Sequence, residues 1–135
     1  MIRSILQYFV NLFFHILNEP EKTLGVARGG HWPAFKKEHE KLFPKVCAAC
    51  GTTKGNIELH HIVPFHNNPS KECDHKNVVW LCEDPALGNH CHLYHGHNKK
   101  WRGWNTHVLE DAATFLTRVA ESEKLSKEEN HYDRA

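Results

Sequence analysis

Five cysteines and a dense set of histidines stand in the middle of this chain, and their spacing reads as metal chemistry. Cys47-Ala48-Ala49-Cys50-Gly51 is a C-x2-C knuckle in which a glycine turn lets both thiolates face one ion. The second pair, Cys82 and Cys91, has eight intervening residues, so a loop must bulge out between the two ligands. Four thiolates in two pairs are the ordinary donor set of a structural, tetrahedral zinc ion. His90 could stand in for Cys91, and the metal-free alternative is four buried thiols. Cys73 is left over and reads as a core thiol.

Between the pairs, residues 57–64 (IELHHIVP) alternate enough to form a strand that ends in adjacent histidines. Neighbours on a strand point to opposite faces, so His60 and His61 cannot ligate one ion equally. They are expected to divide roles, one binding metal and the other taking a proton, which suits an imidazole titrating near neutrality. Three more histidines follow within six positions, at His92, His95 and His97. Such density is hard to explain by packing and points to a second metal, whose open positions would suit Lewis-acid chemistry on a phosphodiester. In a regular helix His92 shares its face with His95 and Gly96, which favours His95 as the further ligand. Gly96 is also a place for the chain to turn, and a turn there would bring His97 back instead.

These groups need a frame. At 135 residues, 40% hydrophobic and 24% charged, the chain fits one domain with a small core, to which a metal staple would add stability. An odd cysteine count, and no small-residue cleavage site after the interrupted apolar run of residues 2–17, predict a reducing compartment and thiolates rather than disulfides. Residues 1–19 read as an amphipathic helix, too short for a bilayer span of about 20 residues. It is expected to pack on the domain or on a second copy of the chain, with no membrane partner. Residues 20–31, with Gly25, Gly29 and Gly30, read as a linker. Residues 32–42 (WPAFKKEHEKL) read as a helix leading into the knuckle, with Pro33 in its first turn. Val108, Ala112, Phe115, Leu116 and Val119 mark a final helix, and residues 121–135 read as a charged, flexible tail.

The net charge of +1 hides an asymmetry. Residues 1–46 carry 7 Lys and Arg against 4 Asp and Glu, residues 47–105 carry 6 against 5, and residues 106–135 carry 4 against 7. Nucleic acid therefore stays open as a partner, at modest and salt-sensitive affinity. Lys99, Lys100 and Arg102 are the expected phosphate contacts, with Trp101 and Trp104 beside them read as core. No recognition helix or repeated reading module is visible, so strong sequence specificity is not expected.

The order Cys47, Cys50, His60-His61-Ile62, Asn77, Leu81-Cys82 and Cys91-His92 resembles the HNH endonuclease family. Residues 28–32, 60–65, 74–77 and 92–111 are similar to small phage and bacterial HNH proteins. The resemblance spans roughly residues 27–113, and Cys73, His75 and the wide Cys82 to Cys91 spacing depart from it. It implies an α+β fold of the ββα-metal type, stapled by zinc at Cys47, Cys50, Cys82 and Cys91, with the nuclease domain over residues 32–120. It also implies catalytic roles for His60, His61 and Asn77: His61 as general base, and Asn77 pinning the loop that aims His61. His60 and His92 would hold a divalent cation, Mg2+ or Mn2+ with Zn2+ or Ni2+ as alternatives, and the family's Gly-His pair selects His97 as the third ligand. The implied activity is hydrolysis of double-stranded DNA in the cytoplasm of a bacterial or phage-infected cell. The alternative, a zinc-stabilised DNA-binding module without catalysis, leaves His60, His61 and His92 without a common role. A membrane-attached effector would rest on residues 2–17 alone.

Overall fold

The computed structural model describes residues 30–132, with side chains as far as Glu129. The expected helix of residues 1–19, nearly all of the linker, and any subunit contact made through them lie outside the described residues. What is described is a small mixed α/β domain around one two-stranded antiparallel sheet.

Helix α1 (Trp32–Leu42) starts with Pro33 in its first turn, where a missing N–H costs nothing. It buries Phe35 and His39, which lie four apart on one face. Strand β1 (Ile57–His61) pairs with β2 (Val78–Cys82) in a register that sets His61 opposite Val78 and Ile57 opposite Cys82. The β2 sequence VVWLC is β-branched and aromatic, and all five residues are buried. Trp80 crosses to α1's end, donating its indole N–H to the Phe43 carbonyl at 2.9 Å. Cys73 joins this core, and burial raises the pKa of its thiol.

The strand ends at the adjacent histidines, as expected, and Asn77 holds the chain beyond it. Its Oδ1 accepts from the Val63 N–H at 2.8 Å, while its Nδ2 donates to the carbonyls of Val63 (2.9 Å) and Lys71 (3.0 Å). An amide side chain thus takes the place of a strand partner and pins the loop of residues 62–77. Asn77 is 4% exposed, so Asn77→Ala leaves buried groups unmatched. The expected loss is roughly 2–4 kcal/mol of stability, read as a lowered urea midpoint. Asn77→Asp, which keeps the acceptor, should fall between; an unmoved midpoint for the alanine variant would show the loop to be held by something else.

After β2 the chain makes one π-helical turn (His92–Gly96) and a loop, then helix α2 (Val108–Tyr132). Val108 and Ala112 anchor α2 in the core, with Leu109 and Phe115 packed against it. The charged run from residue 121, expected as a flexible tail, lies in α2, which continues to Tyr132. Residues 121–129 are exposed as expected for a charge run, but they contain no glycine or proline, and Lys124 lies 3.9 Å from Glu128 one turn on. Among the described residues no helix is long and apolar enough to cross a membrane.

Candidate functional site

Two clusters form where the sheet meets the chain around residue 91. Cys47, Cys50, Cys82 and Cys91 place four sulfur atoms within 4.8 Å of one another, positioned to hold a metal ion. The knuckle closes through the Gly51 N–H donating to the Cys47 carbonyl (2.9 Å), with Gly51 at φ 75, a left-handed conformation that glycine adopts without strain. Cys50 Sγ lies 3.7 Å from Cys82 Sγ. A disulfide would need about 2.05 Å, whereas a tetrahedral zinc with bonds of about 2.3 Å holds its thiolates about 3.8 Å apart. Proton affinities split across the cluster. Cys47 is driven far down, chiefly by its hydrogen bond with Cys50, and Cys91 far up, chiefly by its hydrogen bond with Cys47. Neighbouring thiols stabilise the first negative charge and oppose each one added, so four thiolates at this spacing require a cation among them. The donor set is compatible with zinc.

The second cluster comprises His60, His92 and His97, also positioned to hold a metal ion. His60 projects from β1, and the other two come from the π turn. There the His97 N–H donates to the His92 carbonyl at 3.2 Å, a step of five residues, which returns residue 97 to the side of residue 92. His95, which regular α-helical spacing favoured, turns away and packs its ring 4.8 Å from Phe115. His60 Nδ1 and His92 Nε2 are 3.1 Å apart. That is within the range of about 2.9–3.4 Å expected for two imidazole nitrogens on one ion. Burial first, and then the adjacent imidazoles, pushes the His60 pKa down to about 3. His92 is lowered as well, by burial and by His97, against the opposing pull of Glu58. At neutral pH both rings are therefore neutral and keep a lone pair for a metal.

The surroundings orient these rings. His97 Nδ1–H donates to the Gly103 carbonyl at 2.9 Å, which leaves Nε2 as the free donor atom. His92 Nδ1 stands 3.1 Å from the Glu58 carboxylate, although the two are not aligned as a hydrogen bond. His60 Nε2 is buried with no hydrogen-bond partner among the described residues, which leaves one nitrogen of the cluster without a protein partner. Gly96 is required here for close approach, because a Cβ would lie 2.9 Å from His60 Cε1.

His61 leaves β1 on the other side. Its ring stacks on Trp32, centroids 4.4 Å apart, and its Nε2 lies 2.8 Å from the Glu72 carbonyl oxygen. A carbonyl only accepts, so Nε2 carries the hydrogen and the lone pair of the neutral ring falls on Nδ1. Asn77 acts at one remove, through the loop that supplies the Glu72 carbonyl.

His60, His61, His92 and His97 share a cleft of about 460 Å³, whose other walls are Leu59, Pro64, Phe65, His66 and residues 101–104. Arg102 lines it, while Lys99 and Lys100 are exposed on the turn just before. Asn98 (φ 53) and Lys99 (φ 67) are both left-handed, a conformation asparagine tolerates and lysine adopts at about 1–2 kcal/mol. The tryptophans correct their expected place in the core: Trp101 is 55% and Trp104 36% exposed, and both line the cleft. Trp104 stays at the surface because its indole N–H donates to the Ile62 carbonyl at 2.6 Å.

Sequence reading missed Trp32, Glu58 and the Gly103 carbonyl. Strand alternation places Glu58 on the face of His60 and could have flagged it; the contacts of Trp32 and Gly103 join positions too far apart for any local pattern. No family model matches the chain, nor does any curated protein or solved structure.

Proposed function

We propose that this protein is a metal-dependent endonuclease of the HNH type, with a ββα-metal centre, hydrolysing phosphodiester bonds in DNA. One observation carries the reading: an imidazole with its lone pair directed by a backbone carbonyl shares a cleft with three imidazoles able to hold a cation. His61 Nδ1 accepts the proton of the water that attacks phosphorus. His60, His92 and His97 hold the divalent cation, Mg2+ or Mn2+. Bound there, it supplies Lewis-acid stabilisation of charge on the phosphate and on the leaving 3′ oxygen. Arg102, with Lys99 and Lys100, holds flanking phosphates of the double strand, and 5′-phosphate ends result. Among the described residues that line the cleft there is no carboxylate to repel that backbone. A zinc-stabilised DNA-binding module without catalysis would leave the triad unused.

The test is conversion of supercoiled plasmid by purified protein with and without magnesium or manganese. No conversion under any divalent ion, on DNA of varied sequence, would remove the enzyme. The same assay tests the third ligand: His97→Ala should need a higher metal concentration and reach a lower maximal rate, whereas His95→Ala should titrate like the wild type. The opposite pattern would move the ligand to His95.

A further inference from the structure

Trp101 stands on the wall of the cleft with about half of its surface open. Its neighbours fix the loop firmly: the Lys100 N–H donates to the His97 carbonyl (3.1 Å), the Gly103 N–H to the Lys100 carbonyl (2.6 Å), and His97 Nδ1–H to the Gly103 carbonyl (2.9 Å). Gly103 is forced by this turn, since a Cβ there would collide with the His97 carbonyl oxygen. The loop nevertheless leaves the indole 55% exposed. Its inner side meets the candidate metal ligands, with ring centroids 5.5 Å from His92 and 5.2 Å from His97. Arg102 stands next to it on the same wall. The half-open indole, Arg102 and Trp104 together give the cleft an aromatic and cationic wall beside the His92 and His97 rings.

We infer that Trp101 is a stacking platform for one unpaired nucleobase, so that the preferred substrate is DNA with an unpaired nucleotide at the cut. This rests on the endonuclease reading above and names its substrate class. A cation beside an open aromatic face is the pairing that single-strand sites use, the cation holding phosphate while the ring takes the base. In an intact duplex the faces of the bases are covered by their neighbours. The base that reaches Trp101 beside a phosphate at the His92 and His97 cluster must therefore be out of the stack, as in a bubble, gap or frayed end. Stacking also tolerates any base, so the platform itself would add no sequence preference.

The experiment compares fluorescein-labelled oligonucleotides of one sequence, either fully paired or with a central bubble. Binding is followed by anisotropy without added divalent ion, and cleavage with manganese. The wild-type protein should bind and cut the bubble at least about tenfold better than the duplex. Trp101→Ala should lose between about fivefold and a hundredfold in affinity for the bubble, collapsing the preference towards one. Trp101→Phe should keep most of the preference and Trp101→Leu should not, which separates stacking from simple apolar bulk. Equal binding of the two DNAs by the wild type, or an undiminished preference in Trp101→Ala, overturns the proposal even if both DNAs are cut. Bubble-selective binding that needs Trp101, with no cleavage of either DNA, supports the platform and sinks the endonuclease reading instead.

Discussion

Cys47→Ser is expected to leave the domain unfolded rather than merely weakened. Cys47 is wholly buried, and its backbone N–H and carbonyl close the knuckle while the Ala48 N–H donates to the Trp80 carbonyl in the core strand. Thiolates bound to a structural zinc contribute on the order of 10 kcal/mol of folding free energy. A small domain has only about 5–15 kcal/mol in all, so the loss of one ligand removes most of what is available. The effect should reach the other cluster, because Cys91 and His92 are consecutive: the residue that ends one site begins the other. Circular dichroism should show a collapse of the cooperative thermal transition. Metal analysis of the wild type should return about one tightly held zinc per chain, and acid should release it as the thiolates protonate. A zinc-free protein with a sharp unfolding transition would show that the four sulfurs pack without an ion.

His61→Ala is expected to reduce the cleavage rate by about 10²-fold or more, the ordinary contribution of a positioned general base. The fold should survive. His61 is not in the cluster positioned to hold a metal, and among its tertiary contacts are the Trp32 stack and the bond to the Glu72 carbonyl, the latter worth about 1 kcal/mol. Zinc content, DNA affinity and the manganese concentration for half-maximal rate should therefore stay near wild type while the single-turnover rate falls. That combination belongs to a group acting in the transition state. If the variant precipitates, or if its manganese requirement rises with the rate loss, His61 is structural or a ligand and the base must be sought elsewhere.

How much of this could be read from the chain depends on how local each feature is. The thiolate set followed from the C-x2-C knuckle and a second pair, because a tetrahedral site needs little beyond four donors and a turn. The separation of His60 from His61 followed from strand alternation, which is a property of the backbone itself. The charged run after residue 121 was legible as solvated, but its helicity was not, since helix-favouring residues without a core face look the same in a tail.

Tertiary structure decided the rest. Helical spacing at His92 pointed to His95, and the five-residue π turn brought His97 round instead, its position tied to a carbonyl six residues on, at Gly103. Trp101 and Trp104 were read as core rather than as base-stacking platforms, yet the turn at Asn98 and Lys99 and the bond from Trp104 to Ile62 hold them at the rim of the cleft. The direction of His61 depends on Glu72 and Trp32, which reach it from opposite directions along the chain. The chain by itself thus determined which donor atoms are present, since residue chemistry and backbone period are local. Which of them come together, which way each ring points and what stays open to solvent were decided by hydrogen bonds and contacts between distant segments, which no local period encodes.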